Sequence, residues 1–186
     1  TQGCAIMNTL AGVKGQIGEF EYFIVQISAR DLVSKTKIAK ETDKWLLYGI
    51  QEQYQRKLSD GRISKIAKYY ANDPQRFTSS LIAVLKEPDI HFWDSVTDNI
   101  PHLSAQQNYQ LKNHGILSWL GGELVILDGQ HRRVAIEKAI QITEQRLVAD
   151  AESYDTGYNI FNDTYSLMII VDKETNNDRI RKVFND

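Results

Sequence analysis

Apolar and polar positions change period several times along the 186 residues, and the changes lay out the expected elements. Residues 20–27 (FEYFIVQI) are aromatic and β-branched, the pattern of a strand. Residues 81–85 (LIAVL) and 165–171 (YSLMIIV) are short continuous apolar runs, as expected of buried strands. Helical spacing is read over residues 29–41, where Leu32, Val33 and Ile38 stand among charges, and over 43–56, with Trp45, Leu46 and Ile50 on one side. A further helix starts at Ser59 or Asp60, either of which can cap it, and runs to about Tyr70. In it Ile63, Ile66, Ala67 and Tyr70 recur at i, i+3, i+4 and i+7, which leaves Arg62, Lys65 and Lys68 facing water; Asn72-Asp73-Pro74 then stops it.

The remaining segments are read from their small and polar residues. Residues 1–18 are punctuated by Gly12, Gly15 and Gly18, and residues 87–114 are polar and irregular, a stretch long enough to be an insertion or a lid. Residues 115–120 and 123–127 are two apolar runs joined by Gly121-Gly122, which predicts a hairpin because tight turns require positive φ. The second run leads into Asp128-Gly129-Gln130-His131-Arg132-Arg133 and a helix with Val134, Ala135, Ala139 and Ile140 apolar, followed by a loop over about 145–163 and a last helix over 177–184. Strands mixed with helices in a chain of this length predict one α/β (α+β) domain, a small mixed sheet with helices packed on it. The sequence stops in what reads as mid-helix, so it is expected to be a trimmed piece of a longer protein.

Composition narrows the setting. Apolar residues are 42% and charged residues 25%, which fits a globular chain with a sizeable core. No apolar run approaches the ~20 residues that cross a bilayer, and no secretory signal is read at the start. A single cysteine, Cys4, permits neither an internal disulfide nor a cysteine-built metal centre, so a cytoplasmic protein without membrane contact is expected. His91, His102 and His114 are spaced unlike any compact ligand motif, and no metal is expected. The net charge of −2 hides an asymmetry: residues 1–80 hold 12 Lys/Arg against 8 Asp/Glu, and the remainder 10 against 16. A nucleic-acid surface therefore belongs mainly to the first half, where Arg56, Lys57, Arg62 and Lys65 are the candidate phosphate contacts.

The candidate chemistry sits at residues 128–133. The start of a helix presents unpaired amides and the positive end of its dipole, a combination that favours phosphate. Gly129 permits a sharp turn or close approach of a ligand, and Arg132 and Arg133 carry guanidinium forks that match phosphate oxygens. His131 can donate to a phosphate or move a proton, Gln130 both donates and accepts, and Asp128 can orient His131, cap the helix or hold a metal-bound water. All six are assigned to phosphate or nucleotide binding; if the turn is catalytic, Asp128, His131 and Arg132 carry the reaction.

The run Leu127-Asp128-Gly129-Gln130-His131-Arg132-Arg133-Val134-Ala135-Ile136 resembles the signature of DGQHR-domain proteins. That group includes the DndB-like proteins of DNA sulfur modification and is distantly similar to ParB and sulfiredoxin. Gly18 with the strand after it, Gln55-Arg56-Lys57-Leu58 with Arg62-Ile63-Ser64-Lys65-Ile66, and residues 180–186 are similar to further segments of the group. The resemblance implies a ParB-like fold and a role in phosphorothioation, in which sulfur replaces a non-bridging phosphate oxygen. It further implies a regulator that binds double-stranded DNA and represses the modification genes, alongside other DNA sulfur-modification proteins, with a homo-oligomer compatible with it. The ParB side of the resemblance implies a nucleotide (ATP, GTP or CTP) as the cofactor to consider, and a nucleotide hydrolase or DNA nickase as the alternative function. Sulfiredoxin carries a cysteine where this chain has Gln130, so its chemistry is not expected. A third alternative is an interaction module in which the motif only organises the fold.

Overall fold

The computed structural model of the chain describes residues 6–38, 60–150 and 159–172. Its elements are β1 (Asn8–Ile17), β2 (Phe20–Ser28), α1 (Ala29–Lys35), β3 (Thr36–Ile38), α2 (Asp60–Asn72), β4 (Leu81–Lys86), β5 (Ile90–Ser95), α3 (Ala105–Leu111), β6 (His114–Leu120), β7 (Glu123–Asp128), α4 (Gln130–Ala149) and β8 (Thr164–Asp172). The strands form one mixed sheet in the order β3-β7-β4-β8-β2-β1-β6-β5. The expected α/β class holds. The helices expected over 43–56 and 177–184 lie outside the described residues.

The strands read from β-branched runs are all present. β4 and β8, both read from apolar runs, run parallel to each other and each buries residues on both faces: Leu81, Ala83 and Leu85 belong to the main core, and Val84 with Ile170 to a smaller cluster on the opposite face. Inward rows such as Val25–Leu167–Leu81 cross the centre of the sheet. Against this face lie Leu32 of α1, Ile63, Ala67 and Tyr70 of α2, and Ala135, Ile136, Ala139 and Ile140 of α4. The 3.6-residue pattern of α2 is realised, with Arg62, Lys65 and Lys68 exposed.

Five expectations are corrected. The small-residue segment before Gly18 is a ten-residue strand, β1, joined to β2 by Gly18 and Glu19 with Gly18 at φ 58°. Its glycines serve packing rather than turning, since a Cβ on Gly12 would stand 2.1 Å from the Ile24 carbonyl oxygen. The helix expected over 29–41 stops at Lys35, and the chain continues as β3 beside β7. The helix after the motif runs on to Ala149, into the region expected to be loop. Residues 87–114, expected to be irregular, hold β5 and α3; β5 pairs with β6 and turns Trp93 inward to stack on Phe23 at 5.3 Å.

The fifth correction concerns Gly121-Gly122. The runs on either side do not pair with each other. β6 pairs with β1 and β5, whereas β7 pairs with β3 and β4. The registers Lys86↔Glu123 and Ile90↔Leu120 are nearly continuous, so β4–β5 and β6–β7 form one long antiparallel ribbon bent at residues 87–89 and 121–122. The bend needs left-handed backbone on both strands: Gly121 at φ 68°, Gly122 at 71° and Glu87 at 47°. A Cβ on Gly122 would come within 2.5 Å of the Lys86 carbonyl oxygen. This corner folds the sheet back on itself, so that β7 returns to the side of β4.

Candidate functional site

The ribbon delivers Asp128 to the start of α4. Just before it the pairing of β7 with β4 shifts, Ile82 facing Asp128 and Ala83 facing Ile126, which leaves Leu127 as a bulge. One residue then separates strand from helix. Gly129 is the N-cap at φ 90°, a left-handed backbone angle that favours glycine. Asp128 therefore is not the N-cap, one of the roles open to it from the sequence. Gly129 has no side chain with which to cap the helix, and the first intrahelical bond of the turn is donated by Arg133 N–H to Gly129 O at 2.8 Å. The amides of residues 130–132 consequently lie at the positive end of a 20-residue helix without a capping side chain.

These residues border an open cleft of about 810 Å³ between α2, the 77–79 segment and the turn. Arg62, Tyr69 and Tyr70 come from α2, Phe77, Thr78 and Ser79 from the segment, and residues 127–132 from the turn. Burial pushes the Tyr70 hydroxyl above its usual pKa, against an opposing hydrogen bond with Thr78, so it stays protonated at neutral pH. Its role there is that of a hydrogen-bonding phenol.

The two motif arginines have different work. Arg132 Nη1 donates to Thr78 Oγ1 at 3.1 Å, Ser79 O at 2.8 Å and Ser79 Oγ at 2.8 Å, while Nη2 lies 3.7 Å from Asp128 Oδ2. It fastens the 77–79 segment to the turn and offsets the Asp128 charge. Arg133 points away from the cleft and is only 7% exposed. Its Nη2 donates to Val33 O at 2.8 Å and Thr36 O at 3.0 Å, its Nε to Thr36 Oγ1 at 3.2 Å, and it pairs with Glu137. It thus satisfies carbonyls at the C-terminal end of α1, which the helix itself leaves unpaired. Gln130 Nε2 reaches back to Ile126 O at 3.4 Å.

His131 differs from both. Its Nε2 is buried and has no hydrogen-bond partner among the described residues. An unsatisfied buried polar atom costs about 1–3 kcal/mol, so its presence beside the cleft calls for a use. His131→Phe is expected to raise stability by about 1 kcal/mol in chemical unfolding, because the uncompensated nitrogen goes while the ring's bulk stays.

A match over residues 10–186 links the fold to a family described as DndB: DNA-sulfur modification-associated. The chain belongs to the DndB family. Searches of curated proteins and of solved structures found no match. Family membership ties the protein to DNA sulfur modification. In this DndB-family chain the turn residues Asp128, Gly129, Gln130, His131 and Arg132 meet Arg62 at one cleft, whereas Arg133 is turned away and Lys65 is exposed on α2 outside the cleft lining. Arg56 and Lys57 lie outside the described residues. Among the described residues no three His, Cys, Asp or Glu side chains converge as a metal site would require, and no helix is long and apolar enough to cross a membrane.

Sequence reasoning passed over residues 77–79, whose only signal is an isolated phenylalanine in a polar stretch. It also passed over the pair beside them. Arg76 and Asp163 form a two-pronged ion pair, Nε–Oδ2 and Nη2–Oδ1 both at 2.6 Å, with Arg76 Nη1 donating to Asp73 O at 3.0 Å. The hydrogen bond to Asp163 holds the Arg76 pKa above its usual value. Burial, reinforced by the Asp163 charge, raises that of Tyr165, whose hydroxyl donates to Asp163 Oδ2 at 3.2 Å.

Proposed function

We propose that this DndB-family protein is a cytoplasmic, DNA-binding transcriptional regulator of a phosphorothioation gene cluster, built on a ParB-like DGQHR domain. The observation that carries the reading is the cleft that brings Arg62 to the uncapped start of α4. A backbone phosphate seated there takes the amides of residues 130–132, with Arg62 supplying charge. Asp128 opposes an anion in the same cleft, and Arg132, 3.7 Å away, offsets its charge. Lys65 adds a phosphate contact outside the cleft, and Arg56 and Lys57 are assigned further phosphate contacts. Double-stranded DNA is the principal partner, joined by other DNA sulfur-modification proteins and a second copy of the chain.

The test is duplex binding across a salt series. Arg62→Glu is expected to weaken binding about tenfold or more at low salt and to lower the slope of log K against log salt by about 1, whereas Lys65→Glu changes affinity less. Equal binding by Arg62→Glu and the parent protein rejects this seat.

The hydrolytic alternative has one observation in its favour, the unpartnered Nε2 of His131. In that reading the seat takes the phosphates of ATP, GTP or CTP, and phosphate release disappears in His131→Ala. No heat and no thermal shift with any of the three nucleotides would remove it.

A further inference from the structure

Phe77 stands 82% exposed between two fastened residues. A lone apolar side chain in water is ordinary on a protein surface. Ile6, just ahead of β1, and Val148, at the end of α4, are as exposed and lie where the chain runs into undescribed residues. The backbone around Phe77 is fastened instead. Its own N–H donates to Tyr69 Oη at 2.8 Å. Arg76 before it is clamped by Asp163, and Thr78 and Ser79 after it are gripped by Arg132. The fold thus fixes the backbone of a segment whose central side chain packs little against the protein.

The surroundings indicate what that side chain meets. Phe77 forms part of the wall of the cleft holding Arg62 and the start of α4, and also of a second cleft, of about 510 Å³, lined by Ser80, Asn162 and Ser166. An apolar ring bordered by a cation, open amides and hydroxyls suits a molecule that alternates flat apolar faces with anions. A nucleobase next to its own phosphate has that composition, whereas an apolar protein knob would leave the polar groups of both clefts facing it. Resting on the DNA-binding reading above, we infer that Phe77 stacks on a base of the bound duplex, prising it from its neighbour while the adjoining phosphate occupies the seat beside Arg62. Phenylalanine is among the side chains that enter base steps in this way, and rigid mounting lowers the entropy lost on insertion.

The experiment uses the full chain and mixed-sequence duplexes that carry a fluorescent adenine analogue, bright when unstacked. Binding of the parent protein is expected to raise the emission. Phe77→Ala is expected to bind about tenfold more weakly and to leave the emission unchanged. Phe77→Trp is expected to restore both. Because Phe77 packs little, the variants should melt as the parent does, and melting curves check this. Duplex binding of undiminished strength by Phe77→Ala, with flat emission in the parent protein, overturns the inference while leaving DNA binding intact, and turns attention to a protein partner. Absence of duplex binding by the parent protein at low salt overturns the DNA-binding reading and the inference together.

Discussion

Arg133→Met is expected to lower stability by about 3 kcal/mol, a fall in Tm of about 6–12 °C for a chain of this size. Methionine keeps most of the apolar stem in place and removes the guanidinium. Val33 O and Thr36 O then lose a charged donor inside the fold, and Thr36 Oγ1 loses one as well. The Glu137 contact adds little to this figure, since its carboxylate is 41% exposed and returns to water. DNA affinity, measured well below Tm, is expected to change by about twofold or less, because the side chain faces α1 and not the cleft. The opposite outcome, a stable variant that no longer binds DNA, would return Arg133 to the phosphate seat.

Arg76→Leu is expected to cost more, about 3–5 kcal/mol by urea unfolding, because it strands a carboxylate beside the buried Tyr165. Arg76 is 9% exposed on its side chain and Asp163 22%, so neither charge is well solvated once its partner is gone. The paired variant Arg76→Leu with Asp163→Leu is expected to recover a large part of the loss, since an apolar pair of similar volume removes the lone charge. If Arg76→Leu and Asp163→Leu each prove mild, the ion pair contributes little and the mounting of residues 76–79 depends on Arg132 and the Tyr69 hydroxyl. The second cleft should also open in Arg76→Leu, detectable as faster amide exchange at residues 76–79.

How much could be read beforehand depended on where each residue's partner lies. β2, β4 and β8 declare themselves through β-branched runs, and α2 through its apolar stripe, because such signals are local. Gly121-Gly122 declares only left-handed backbone. Whether the chain reverses there or bends depends on what pairs with it, and the answer lies in residues 81–95. Gly12 misleads for the same reason, its small size being required by Ile24 across the sheet. Asp128 to Arg132 were legible as a turn at a helix start, and Arg62 as an exposed cation. Arg132 and Arg133 were read as phosphate forks because a guanidinium matches carbonyls, carboxylates and phosphates alike. Their actual partners, at 78–79 and 33–36, are distant in sequence. β5 was hidden by Pro88 and by acidic neighbours, although its residues alternate between partly buried and exposed.

The position of β8 has a consequence for biosynthesis. It is the last described strand along the chain, yet it stands fourth in the sheet, joining β4 on one side to β2 on the other. A nascent polypeptide that has emerged only as far as residue 163 therefore presents two bare, apolar strand margins with nothing between them. Those margins invite pairing with another nascent copy on the same messenger, so the growing chain has most need of chaperone protection in the seconds before residues 164–172 leave the ribosome.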